Sequence, residues 1–186
     1  MFFFNQENQT FTSKSIENAY FSILKGDLHT AKSIFENIDS PRSHWGKCFV
    51  DILIGYVENF PTYFEIRNFL EIDLDFLIKN NKINYVEQIL GSLEHLSDIN
   101  QEVYKYVARV FYENRLYKAS LEYLEKSKKI FYKDPELHFM LAKYYLNSRD
   151  YEDSYFYIKE CLKILPDYYP AKNLKMKIEK YLKIDW

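Results

Sequence analysis

Residues 101–134 read QEVYKYVARVFYENRLYKASLEYLEKSKKIFYKD, and residues 135–168 read PELHFMLAKYYLNSRDYEDSYFYIKECLKILPDY. Set one under the other, the two frames agree in chemistry along their length. Val107 falls on Leu141, Ala108 on Ala142, Phe111 on Tyr145, Arg115 on Arg149 and Tyr117 on Tyr151. Further on, Ser120 meets Ser154, Tyr123 meets Tyr157, Leu124 meets Ile158 and Ser127 meets Cys161. A period of this length belongs to stacked helical hairpins, in which each hairpin buries its apolar face only against its neighbours.

The same register extends toward the N-terminus. A frame opening at Arg67 places Leu70, Leu74, Leu77, Ile83, Val86, Leu90 and Leu93 on apolar positions, with a turn at Asn80-Asn81. Ile16, Ala19, Ile23 and Leu24 form one helical stripe, Gly26-Asp27 breaks it, and Leu28, Ala31, Ile34, Phe35 and Ile38 form the next. A further helix is expected from about Ser43 to Val57. Residues 58–72 phase poorly: a short helix near 62–69 with a break near 71–73 is expected, and one helix over 61–79 is the alternative. Asp134-Pro135-Glu136 is a well-formed helix start, with an N-cap acid, a proline preset for the first turn and a second acid on the positive helix end. The division that follows is a loose tail over 1–12 and a single helical-repeat domain over 13–186. Its repeats span about 13–41, an irregular 42–66, 67–100, 101–134 and 135–168, closed by a capping helix over 170–183. That helix shows Leu174, Ile178, Tyr181 and Leu182 on one face and lysines on the other.

The bulk chemistry narrows the function classes. The 186 residues are 47% hydrophobic and 28% charged, which suits a folded domain with a core and excludes a disordered chain. Net charge is −2, yet residues 51–102 carry ten acids against three bases and residues 103–186 carry 17 bases against 12 acids. Such separation can steer a partner or favour head-to-tail self-association. Cys48 and Cys161 lie far apart in no metal or redox spacing, as in a reducing compartment. No basic n-region opens the chain and no apolar run approaches the roughly 18 residues of a spanning helix. A cytoplasmic protein without membrane contact is expected.

The frames at 101 and 135 resemble the tetratricopeptide repeat family. Its pattern sets a bulky residue at position 4, Leu at 7, small at 8, aromatic at 11, small at 20, bulky at 24, small at 27 and Pro at 32. The first frame supplies Tyr104, Val107, Ala108, Phe111, Ser120, Leu124 and Ser127; the second supplies His138, Leu141, Ala142, Tyr145, Ser154, Ile158, Cys161 and Pro166. Tyr132 stands where Pro is common, and the position-4 Trp is missing, which marks a divergent member. The resemblance implies an all-α, right-handed superhelical solenoid of antiparallel helix pairs, about four to five hairpins plus the C-terminal cap. It also implies a concave groove that binds an extended or helical protein segment. Carried over by position, the groove would be lined by Glu102, Lys105, Tyr106, Arg109 and Tyr112, then Glu136, Phe139, Met140 and Lys143, with Glu71, Asp75, Ile78 and Lys79 in the frame before. The two-carboxylate clamp with which some relatives hold chaperone C-termini is not reproduced at these positions.

Catalytic chemistry finds no constellation. The four glycines, at 26, 46, 55 and 91, form no phosphate-cradling loop. His29, His44, His95 and His138 are scattered, with no partner at ligand or acid–base spacing. Glu71, Asp73 and Asp75 form an acidic group better suited to a solvated helix start than to acid–base work. No catalytic residue, metal or small-molecule cofactor is expected. The reading is therefore a scaffold or adaptor that binds a protein or peptide segment, of which a chaperone-like holder is one form. Self-association through the groove or the opposed charges is the alternative. RNA binding is a minor one, disfavoured by a pI of about 6.1.

Overall fold

The computed structural model describes residues 3–56 and 58–182, with side chains from Lys14 onward. Within them the regular structure is all helical, and the chain divides between Asn100 and Gln101 into two compact units, at the frame boundary that the repeat sets. The first unit holds α1 (Phe3–Lys25), α2 (Leu28–Glu36), α3 (Pro41–Ile54), α4 (Tyr63–Lys79) and α5 (Ile83–Ile99). The second holds α6 (Val103–Glu113), α7 (Tyr117–Ile130), α8 (Pro135–Asn147), α9 (Tyr151–Ile164) and α10 (Tyr169–Leu182). In each unit consecutive helices pack as antiparallel hairpins: α1 with α2, α4 with α5, α6 with α7, and α8 with α9.

The hairpins share one turn. Asn81, Arg115 and Arg149, which recur at the step of the repeat, have φ of 55°, 62° and 64°, and Gly26 has φ of 83°. A left-handed residue just past a helix lets the next N–H reach back to a carbonyl of the last turn that the helix end leaves orphaned. Accordingly Lys82 N donates to Leu77 O at 2.9 Å, Leu116 N to Phe111 O at 2.8 Å and Asp150 N to Tyr145 O at 2.9 Å. Asp27 N donates to Ser22 O at 2.9 Å in the same manner.

Small residues at the repeat positions do more than permit close approach. Ser120 Oγ donates to Ala108 O at 2.8 Å, and at the matching place in the next frame Ser154 Oγ donates to Ala142 O at 2.7 Å. The two hairpins of the second unit thus carry the same fully buried interhelix bond, each worth about 1 kcal/mol net. The aromatics repeat as well: Phe111 meets Tyr123, and Tyr145 meets Tyr157, both at 5.4 Å between ring centres. Cys161 and Ile158 of α9 pack with Ala171 and Ile178 of α10, which seals the end of this core. Tyr181, expected on the sealing face, is instead half exposed and stacks on Tyr151 at 4.7 Å.

Three expectations change. Helix α1 begins at Phe3, so residues 3–12 of the expected tail are helical; no Gly or Pro precedes Gly26 to stop the helix earlier. Helix α3 starts at Pro41 under a Ser40 cap and ends at Ile54, where left-handed Gly55 terminates it. Val57, its expected end, lies outside the described residues. Residues 63–79 form one helix, not a short helix and a break. Thr62 and Glu65 close a capping box at its start, each side chain bonded to the other's backbone N–H. The acids expected at a break lie mid-helix, and Asp73 is fully buried. It accepts from Tyr20 Oη at 2.8 Å, from Arg42 Nη2 at 2.5 Å and from Trp45 Nε1 at 2.5 Å. This is a structural knot tying α1, α3 and α4.

Candidate functional site

In the second unit, the first helices of the two hairpins present a cavity of about 170 Å³. Arg109, Tyr112 and Glu113 come from α6, Glu136, Phe139, Met140 and Lys143 from α8, and Tyr168 from the connection before α10. The helical period sets this arrangement: 109, 112 and 113 share one helix face, as do 136, 139, 140 and 143. Six of the nine groove residues expected in this unit are brought together here. Glu113 and Tyr168 were not foreseen; Tyr168 closes the second frame, where the connection to the next helix bends back over α8.

The walls are aromatic and the rim is charged. Phe139 meets Tyr168 edge to face at 5.4 Å, and the Lys143 ammonium lies over the Tyr112 ring at 4.9 Å. Tyr112 Oη donates to Lys143 O at 3.4 Å, which ties α6 to α8. Arg109 Nη2 pairs with Glu136 Oε1 at 2.6 Å. Partial burial raises the pKa of Tyr112 and of Tyr168, so both hydroxyls stay protonated.

The other three expected groove residues have structural duties. Lys105 is only 3% exposed. Its ammonium meets Asp134 Oδ2 at 2.5 Å, Glu102 Oε2 at 2.9 Å and Glu136 Oε2 at 3.1 Å. Burial pulls its pKa down, but the carboxylates of Asp134, Glu102 and Glu136 outweigh burial and hold it above the ordinary lysine value. Asp134 serves twice, since its Oδ1 also accepts from the N–H groups of Glu136 and Leu137 and so caps α8. Tyr106 is buried and donates to Glu102 Oε2 at 3.0 Å. Lys105 therefore ties α6 to the start of α8 and Tyr106 is held against the start of its own helix, while Arg109, Tyr112, Phe139 and Lys143 line the cavity. Glu71, Asp75, Ile78 and Lys79 lie on α4 of the first unit, where Asp75 pairs with Lys79 at 2.6 Å.

The groups with potential chemistry sit elsewhere and are quiet. Cys48 and Cys161 are fully buried free thiols, pushed up by burial to about 12 and about 11, so neither is a ready thiolate. His138 is fully buried, stacks against Tyr157 and donates from Nε2 to Tyr132 O at 2.8 Å. Burial lowers its pKa, which keeps it neutral. Among the described residues no group of three His, Cys, Asp or Glu is placed to hold a metal ion, and no helix is long and apolar enough to cross a membrane.

No protein-family model matches the chain, and no curated protein matches it. Among solved structures, the chain is similar to a tetratricopeptide-repeat protein in the crystal structure of the APC/C hetero-tetramer Cut9-Hcn1, with a TM-score of 0.53 at 13% identity. The match covers 88% of this chain but 35% of that one, so the chain spans about a third of its neighbour's length. At this identity the likeness concerns the fold, an all-helical tetratricopeptide-like repeat, and agrees with the repeat pattern read from residues 101–168.

Proposed function

We propose that the chain is a non-catalytic scaffold that holds a peptide or protein segment in the groove of its second unit. The observation that carries this reading is the cavity between α6 and α8, with Tyr112, Phe139 and Tyr168 as aromatic walls and Arg109, Glu136 and Lys143 at its rim. Its 170 Å³ falls below the roughly 300–1,000 Å³ of small-molecule sites, so it suits one or two anchoring side chains of a longer segment. Tyr and Arg are the residue types from which binding hot spots are built, and mixed charges at the rim fix register. A holder of unfolded or partner-less segments, chaperone-like in its action, is one form this function takes. The buried free thiols support work in a reducing compartment such as the cytoplasm.

The test is affinity purification with the intact chain and with an Arg109→Ala, Phe139→Ala variant whose helicity is unchanged. Loss of the same partner from the variant is expected. A partner set that is identical for both proteins refutes the groove.

Self-association is a second reading, favoured by charge: residues 1–100 carry 14 acids and eight bases, and residues 101–186 carry 17 bases and 13 acids. Sedimentation at low and high salt decides it, since opposed charges are screened beyond about 10 Å at 0.1 M salt. A monomer at both salts refutes it.

A further inference from the structure

The first unit contains a helix end that prepares a hairpin and does not complete one. At Gly55 (φ 83°) α3 ends in the same turn as the other hairpins, with Tyr56 N donating to Asp51 O at 3.1 Å. After the left-handed residues at 26, 81, 115 and 149 the next helix begins within two residues; after Gly55 it begins only at Tyr63. The connection of eight residues, 55–62, is too short for a second helix like the 14-residue α7 and α9. Consequently α3 packs directly on α5, and an open slot of about 480 Å³ lies beside them.

Apolar groups dominate this slot. Ile52 and Gly55 from the end of α3, Phe60 and Pro61 from the connection, and Leu96 and Ile99 of α5 line it. Gln88, Gly91, Ser92 and His95 complete the α5 stripe, which runs about 16 Å at 1.5 Å per residue, three turns of a helix. Gly91 faces open space: a Cβ there would meet nothing within 4 Å. Phe60 is 66% exposed and adds its ring to the apolar lining of the slot. The next row of α5, at 87, 91, 94 and 98, carries Glu87, Glu94 and Asp98 with Gly91 as its gap. All three acids are exposed, whereas Glu58, two residues before Phe60, is already paired with Lys32 at 2.8 Å. Bases are scarce, since residues 51–102 hold only Arg67, Lys79 and Lys82.

The geometry points to a docking slot for an amphipathic basic helix of a partner protein, which takes the place of the second helix that α3 lacks. Its apolar stripe covers Phe60, Leu96 and Ile99, and its Lys or Arg residues flank the stripe and meet Glu87, Glu94 and Asp98. The charge argues against nucleic acid, which the same acids repel. This slot lies wholly within residues 1–100 and does not depend on the α6–α8 groove.

The experiment selects binders from a displayed library of helical peptides about 18 residues long, randomised on all faces, against the whole chain. Selected peptides are expected to combine an apolar stripe with flanking Lys or Arg. Gly91→Leu, which fills the slot from a helix position with free space, is expected to weaken them about tenfold or more with helicity unchanged. A Glu87→Lys, Glu94→Lys, Asp98→Lys variant is expected to lose them likewise and, on reselection, to prefer acidic peptides. Acidic or uncharged winners, binding that survives Gly91→Leu, or no winners at all overturn the proposal. So does a concentration-dependent dimer that Gly91→Leu abolishes, which assigns the slot to a second copy. Arg109→Ala, Phe139→Ala leaves peptide binding to the slot intact, so its failure and that of the groove reading are told apart.

Discussion

Replacing Lys105 with Met separates a residue that builds the groove from one that would touch a ligand. The ammonium is almost completely enclosed and contacts the carboxylates of Asp134, Glu102 and Glu136. Removing one partner of a buried charge pair costs about 3–5 kcal/mol, because the other charge stays buried. Here Glu102 and Glu136 are partly exposed and can turn to water, and Asp134 keeps two backbone N–H donors at the start of α8. The loss should therefore fall at the low end, about 3 kcal/mol. Arg109→Ala breaks a pair whose two side chains are 28% and 42% exposed, which is worth at most about 1 kcal/mol. Peptide-resolved native-state hydrogen exchange reads both changes within the second unit. Lys105→Met should speed exchange in α6 and α8 about a hundredfold, and Arg109→Ala by less than about fivefold. The sign with pH agrees: a lysine whose folded pKa is raised contributes its full stability below pH ~10.4, and loses it as pH rises through the folded value. A Lys105→Met variant as stable as wild type, or equal effects of the two substitutions, refutes the account of Lys105 as a buried hub.

Four further outcomes follow from the packing. Gly46→Ala should destabilise the first unit by about 1–2 kcal/mol in urea titration, even though alanine favours helix, because its Cβ would fall 2.5 Å from the buried Phe35 ring. Gly91→Ala, into open space, should stabilise by about 0.5–1 kcal/mol in the same assay. Arg149→Gly should raise the thermal midpoint, worth about 0.5–1 kcal/mol, since φ of 64° strains any residue with a Cβ. Acid should weaken the second unit through His138: its folded pKa is lowered by burial, so stability present above pH ~6.5 is lost as pH falls from there toward the folded value, at up to about 1.4 kcal/mol per pH unit, and His138→Gln should flatten that slope in denaturant titrations at pH 5 and 7.

The repeat period was enough to specify the hairpins of residues 101–168, the helix start at Asp134 and the turn at Asn80-Asn81. Each depends on contacts close along the chain: a cap reaches two or three positions, and a left-handed turn closes over little more than one helical turn. That locality is why they can be read from the chain alone. The face of α6 and α8 that carries Arg109, Tyr112, Phe139 and Lys143 was legible only through the resemblance to the repeat family, whose groove positions carry over by register. Periodicity could not say which members of that face stay open. Lys105 is claimed by Asp134 and Asp73 by Tyr20, partners that lie one hairpin or more away along the chain. Nor could it rank the glycines, for Gly46 and Gly91 are alike in sequence and opposite in surroundings. Burial and ion pairing are settled between helices that meet only after folding, because the energy of a charge or a methyl group depends on what else occupies its space.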